Sequence, residues 1–265
     1  MTVPRVFDRS LLRTRRHRAA DGFSAHSALF DEIAEQIVER LGDIKQTFHT
    51  ALDLGAHRGA LAAKLSERGI PFVVAADISE KMLRRKPAVA ADEEILPFAP
   101  ASFDLVVSNL SLHWTNDLPG ALLQIRNVLR PGGLFLAALI GGNSLYELRT
   151  SLMEAELSIT GGVSPRLSPT IDLPAGSALL QRAGFAMPVT DEEAVTLTYP
   201  DIFALMRDLR GMGETNTHAQ RLRRPPPRRL FAEAGRLYRA RFAGSDGRIP
   251  ATFEIVFLHG TQIDP

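Results

Sequence analysis

The sequence predicts an α/β protein built on a doubly wound, mostly parallel sheet. Three observations carry that prediction. Short apolar runs alternate with amphipathic helical patterns over much of the chain. Four of these runs are solidly apolar rather than alternating, as strands buried on both faces are. A glycine-bearing turn, Asp53-Leu-Gly-Ala-His-Arg-Gly59, directly follows the first run, where doubly wound sheets place their ligands.

The chain begins with an arginine-rich arm. Six arginines fall between Arg5 and Arg18, with Asp8 the only acid among them. A transit peptide is one reading, and a folded helix over the main domain is the one preferred, because the stretch is short and poor in serine. A helix is then predicted from Ser27, with Leu29, Ile33, Ile37, Val38 and Leu41 on one face and Gly42 as its stop. The first strand is Thr50 to Leu54, followed past the glycine turn by a helix from Ala60 to Arg68. The second strand, from Phe72, ends at Asp77, and Ser79 is placed to cap a short helix from Glu80 to Arg85.

A weak strand near Ala88 leads to Asp92-Glu93-Glu94, and Phe103 to Ser108 reads as a buried strand ending against Asn109. A helix follows from Leu118 to Leu129. The Pro131-Gly-Gly133 turn then introduces a strand from Leu134 to Ile140. Further helices are predicted at Leu145–Leu157, Ser177–Ala183, Asp201–Leu209 and Arg229–Phe242, and further strands at Val189–Tyr199 and Thr252–Leu258. Residues 161–174 read as a loop. The domain reading is one unit, 1–265, divided into an arm (1–45), a core (46–142) and the remaining sheet (143–265). A helical insertion at about 200–250 is expected to act as a lid.

Composition narrows the function. Lys plus Arg number 31 against 30 for Asp plus Glu, so no overall field pulls toward nucleic acid. With no cysteine in the sequence, disulfides and thiolate metal sites are excluded. No apolar run approaches the about 20 residues needed to span a bilayer, and a cytoplasmic location is the expectation. The Arg221–Arg229 stretch, broken by three prolines, lacks the aromatics that stack bases and reads as solvated loop.

The polar residues at the strand ends point to a nucleoside-type ligand. Asp77 lies about 20 residues past the glycine turn, where a carboxylate accepts from both hydroxyls of a ribose. Asp92 and Glu93 follow the third strand, suited to an adenine amino group, and Asn109 ends the fourth. On these residues the sequence resembles the class I S-adenosylmethionine-dependent methyltransferases. The resemblance implies a seven-stranded sheet of order 3-2-1-4-5-7-6 with the last strand antiparallel, and S-adenosylmethionine as cofactor. It implies that Asp53, Gly55, Ala56, His57 and Gly59 flank the methionine part, that Asp77 takes the ribose, and that Asp92 takes the adenine with Ile78 and Glu93 as lining neighbours; Asn109 stands on the same rim. His57 departs from the pattern, which has glycine there.

Val6-Phe-Asp-Arg9, Leu110-Ser-Leu-His-Trp114, Leu145-Tyr-Glu-Leu-Arg149, Asp208-Leu-Arg-Gly-Met-Gly-Glu214 and Asp246-Gly-Arg-Ile-Pro-Ala-Thr252 resemble a narrower group. These are the mitochondrial respiratory complex I assembly factors of methyltransferase fold assigned as protein-arginine hydroxylases. A looser likeness is to the malonyl-carrier-protein O-methyltransferases. Methyl transfer to a small-molecule or protein acceptor is the expected function. Hydroxylation of a complex I subunit and a non-catalytic assembly role are the alternatives. Catalytic residues are not fixed by the pattern; His113, Trp114, Tyr146 and Glu147 are the candidates. His113 and Trp114 position an acceptor or pack under the lid, and Glu147 faces a cationic substrate or pairs with a nearby arginine. The Gly211-Met-Gly-Glu214 turn is a hinge, a pocket floor or a helix cap. No metal site is expected.

Overall fold

The computed structural model describes residues 5–164, 173–223 and 226–263. The polypeptide starts with α1 (Arg9–Ala19), capped by Asp8, whose carboxylate accepts from Leu11 N at 3.0 Å. It continues through α2 (Ala28–Gly42), β1 (Thr50–Leu54), α3 (Ala60–Glu67), β2 (Phe72–Asp77), β3 (Ala88–Ala90) and β4 (Phe103–Asn109). Then come α4 (Leu118–Val128), β5 (Leu129–Ile140), α5 (Tyr146–Thr160), α6 (Leu173–Arg182) and β6 (Ala186–Tyr199). The insertion α7 (Ile202–Gly211) and α8 (Arg228–Phe242) precedes β7 (Ile249–Thr261).

The strands form one sheet in the order β3-β2-β1-β4-β5-β7-β6. β1 to β5 are parallel, and β7 lies antiparallel between β5 and β6. Alternate residues of each strand serve opposite layers, as the pleat requires. Ala51, Val73, Leu105 and Leu134 join the core beneath α2, α3, α5, α7 and α8. Leu52, Val74, Val106 and Phe135 join the one beneath α4 and α6. Burying both faces explains the unbroken apolar runs.

Two local expectations are corrected. Glu80 to Arg85 forms a turn rather than a helix, with Met82 N donating to Ser79 O at 2.9 Å. Pro87 and the pairing of Ala88 with Ala75 return the chain to the sheet before a costly helical nucleus can propagate. Ser79 is therefore not a side-chain cap: its backbone N donates to Asp77 Oδ1 at 2.8 Å. Pro131-Gly-Gly133 also does not precede the strand. It is an irregularity within β5, where the partners move from Phe103↔Leu129 to Leu105↔Leu134. The 161–174 loop lies partly outside the described residues, as does the centre of the Arg221–Arg229 stretch.

The arm is a folded helix whose buried stripe is unusual. Leu12, Arg16 and Ala19 are buried along α1, and Arg9 shares their face, since seven residues make about two helical turns. Arg13, Thr14, His17 and Arg18 face solvent.

Candidate functional site

The ends of β1, β2, β3 and β4 converge on one cluster. After β1 the chain turns sharply at Gly55 (φ +75°), whose N and that of Ala56 both donate to Ala76 O, at 2.7 and 2.8 Å. A Cβ on Gly55 would lie 2.1 Å from the Ser111 Cβ and Oγ, so only glycine lets this turn approach the end of β4. His57 follows in left-handed backbone (φ +47°), and Gly59 (φ +80°) starts α3. The His57 ring is buried, lying flat against Phe23 at 5.4 Å and edge-on to Phe30 at 4.6 Å. That burial, reinforced by the Arg16 charge, holds its pKa well below the usual histidine value, so the imidazole is neutral.

Asp77 sits at the centre. Its Oδ2 accepts from His57 N at 3.1 Å and from an Arg16 guanidinium N–H at 3.2 Å, and Ser79 N donates to Oδ1. Glu93 Oε1 accepts from the Ser111 hydroxyl at 2.5 Å and from the same Arg16 nitrogen at 3.3 Å, while Arg9 holds Oε2. Asp92 accepts from Arg9 at 2.5 Å. Arg16, Asp77 and Glu93 have no exposed side-chain surface. Desolvation pushes the Glu93 carboxyl up, but the Arg9 and Arg16 charges and the Ser111 hydroxyl overcome it and hold the group at about 2. At Asp77 desolvation prevails over Arg16, and the shift is upward.

The remaining strand-end residues support the cluster from behind. Ile78 is buried beside Asp77, and Asn109 donates to Phe30 O at 2.8 Å, with its own Oδ1 buried and unpartnered among the described residues. Asp53 accepts from Ala62 N at 3.0 Å, tying β1 to α3, and burial raises its pKa to about 7. Because the folded group keeps its proton up to about pH 7 while the unfolded one loses it near 3.8, the unfolded chain binds fewer protons between those values. Stability tied to Asp53 therefore falls as pH rises through that window. Asp53→Asn is expected to remove this loss while keeping an acceptor for Ala62 N. Melting curves should show the variant gaining on the parent from pH 4 to pH 7; a constant difference would refute a raised Asp53.

An apolar cleft with about 660 Å³ of empty space, part of it open to solvent, adjoins this cluster. Phe30, whose ring meets His57, and Leu110 line it, as do His113, Trp114, Arg149 and Glu214. Glu214 leaves the end of α7 through Gly213 (φ +83°), its N donating to Leu209 O at 2.9 Å. Its Oε2 accepts from Trp114 Nε1 at 2.7 Å and lies 3.1 Å from His113 Nε2, while Oε1 is buried without a partner among the described residues.

The structure thus brings His113 and Trp114 together at the cleft and leaves Tyr146 and Glu147 outside its lining. Tyr146 is 43% exposed, its ring edge-on to Phe242. Glu147 is buried and accepts from the Thr252 hydroxyl at 2.5 Å, joining α5 to β7 rather than facing a substrate or an arginine. Sequence reasoning missed the roles of Arg9, Arg16 and Glu214. The seven-residue spacing of the two arginines on one predicted helix was the available signal; Glu214 had none beyond its turn.

Among the described residues no helix is long and apolar enough to cross a membrane, and no group of three or more His, Asp or Glu side chains is arranged to hold a metal ion.

Comparison with known proteins adds three findings. A methyltransferase-domain family matches residues 52–137. The chain is 41% identical over 264 residues to the mitochondrial arginine-hydroxylase NDUFAF5 of Danio rerio, covering 96% of this chain and 82% of that protein. It is 34% identical to a malonyl-[acyl-carrier protein] O-methyltransferase of Methylovorus sp. (strain MP688), covering 96% and 89%. Among solved structures, the 1,6-didemethyltoxoflavin-N1-methyltransferase of Burkholderia thailandensis, with S-adenosylhomocysteine bound, superposes with a TM-score of 0.53 at 19% identity, covering 96% of this chain and 88% of that one.

Proposed function

From the premise that this chain belongs to the methyltransferase-fold family of the NDUFAF5 arginine-hydroxylases and the malonyl-[acyl-carrier protein] O-methyltransferases, we propose that it binds S-adenosylmethionine and methylates an acceptor inserted into the adjoining cleft. The observation that carries this reading is adjacency: Phe30 packs on His57 of the glycine turn and also lines the cleft that holds Glu214. The donor set suits the cofactor. Asp77 supplies carboxylate oxygens for a ribose diol, Asp92 and Glu93 for an adenine amino group, and the turn of Gly55, Ala56, His57 and Gly59, with Asp53 behind it and Asn109 opposite, borders the methionine part. Once bound, the cofactor supplies an electrophilic methyl group.

The chain's own residues then position the acceptor. The apolar lining lowers the local polarity, which strengthens polar contacts made against it. Glu214 Oε1 is buried and has no donor among the described residues, so the cleft favours a substrate group that donates hydrogen bonds to this carboxylate, above all a cation such as a guanidinium. Trp114 and His113 hold the other oxygen and fix the carboxylate. A protein arginine, including one on a respiratory complex I subunit, meets that demand, and so does a small cationic molecule. Hydroxylation of an arginine side chain is the second reading, favoured by the 41% identity to the NDUFAF5 protein. The cytoplasm is the compartment expected from the sequence, whereas the NDUFAF5 relative is named as mitochondrial.

Incubating the protein in air with S-adenosylmethionine, an added reductant and an arginine-bearing complex I peptide, then weighing the peptide, decides between them. A gain of one methyl group is expected; a gain of one oxygen atom transfers the conclusion to hydroxylation, and an unchanged mass across acceptors removes both. Glu214→Gln is expected to raise KM for a cationic acceptor about 10- to 100-fold, corresponding to about 1.5–3 kcal/mol for a lost charge-assisted hydrogen bond, with kcat nearly preserved. An unchanged KM would remove Glu214 from substrate recognition.

A further inference from the structure

We infer that α1 is a built-in competitor for the cofactor site, with the Arg16 guanidinium seated where a ribose would bind, so that cofactor entry requires the arm to leave. This rests on the cofactor reading above. Three facts about the cluster support it. Asp77 and Glu93 have no exposed side-chain surface, and the group that bridges them is itself wholly buried. Arg16 bonds Asp77, Glu93 and Ser111 together, while Arg9, at the start of the same helix, holds Asp92 and Glu93. All three acids at the ends of β2 and β3 are thereby engaged by one helix.

A ribose hydroxyl would need the space beside Asp77 Oδ2 that the guanidinium occupies, and two hydrogen-bond donors cannot fill it together. The hold of α1 on the acids is one that a ligand can exchange. Its apolar anchors beyond α1's own C-terminal end are few: Phe7 and Leu12 pack with Trp114 in a small cluster separate from both main cores. Backbone bonds tie the segment before α1 to 217–219, with Asp8 N donating to Thr217 O and Ala219 N to Val6 O, and Phe7 N donates to Asn116 Oδ1. The contacts α1 makes to Asp77, Asp92 and Glu93 are charge pairs, which a ligand offering its own hydrogen bonds to those carboxylates replaces. Trp114, the sole tryptophan of the chain, touches Phe7 edge-on at 5.4 Å and so reports whether the arm is docked.

The test uses the full chain and S-adenosylhomocysteine, with calorimetry to measure binding. Saturation with this ligand is expected to redden Trp114 emission and to accelerate trypsin cleavage at the exposed Arg13 and Arg18 of α1 several-fold, the sites read by peptide mass. Arg16→Gln is expected to bind the ligand about tenfold more tightly, because the docked fraction no longer taxes the apparent affinity. The parent measurement stands even where the variant folds poorly. Ligand binding that leaves arm cleavage unchanged or slows it overturns the competitor role while preserving the cofactor reading. Weaker binding by a folded Arg16→Gln overturns it too, assigning Arg16 to holding the cofactor. Absence of binding to both proteins overturns the inference and the cofactor reading together.

Discussion

Replacing Arg9 with methionine is expected to lower stability by about 3 kcal/mol at pH 7, the cost of stranding one partner of a buried ion pair. Methionine keeps the stem's apolar contacts, so the loss isolates the charge. Arg9 bonds both Asp92 and Glu93 and is 12% exposed, whereas Glu93 is fully enclosed, so solvent cannot take over as its partner. The pH dependence has a fixed sign. Glu93 titrates at about 2 in the folded chain and at 4.5 when unfolded, so its contribution is complete above pH 4.5 and is lost as pH falls toward 2. The gap between parent and variant should therefore narrow across that window. Urea unfolding at pH 7 and pH 3 measures it, and equal midpoints at pH 7 would show that Arg16 and Ser111 hold Glu93 unaided.

Gly55→Ala is expected to cost about 2–5 kcal/mol, combining about 1–2 for left-handed backbone with about 1–3 for overpacking. The added Cβ would meet Ser111 at 2.1 Å, and Ser111 cannot retreat freely because its hydroxyl joins Glu93 to Arg16. Gly69→Ala is the control. It has φ +98° with nothing within 4 Å of the added atom, so it carries the backbone strain without the clash. Chemical denaturation of both variants separates the two contributions. Equal losses would mean that the turn after β1 relaxes away from β4.

Local pattern carried most of the fold into view. Thr50–Leu54 and Phe72–Asp77 are legible because strands buried on both faces need unbroken apolar residues, and Leu29, Ile33, Ile37 and Leu41 because a helix buries one stripe. The helix expected at Glu80–Arg85 shows where pattern ends: Ser79 resembles a cap, yet β3 pairing reclaims the chain within a few residues. The Pro131-Gly-Gly133 irregularity escaped for a related reason, since a turn signal does not tell whether the flanking segments pair with the same neighbour.

The site divides in the same way. The positions of Asp77, Glu93 and Asn109 at or just past strand ends were readable from the pattern. What engages Asp77 and Glu93 was not, because Arg16 reaches residues 61 and 77 positions away, and no local rule links an arginine in a basic arm to a distant acid. Glu147 misled because its helical setting favours a surface pair, while its real partner, Thr252, arrives with β7 after the whole insertion.

The outermost strand has a consequence for solubility. Among the described residues, β6 offers one side to β7 and leaves the other without a neighbour in the sheet, and at its middle stand Asp191, Glu192 and Glu193. Arg40 draws in Asp191 at 2.8 Å, and Gln36 meets Glu193 at 3.1 Å. Another molecule aligning its own β6 there would bring like carboxylates to strand spacing, roughly 5 Å, where they repel. The rim of the sheet thereby resists extension into a shared ribbon, and the acids guard the molecule's separateness.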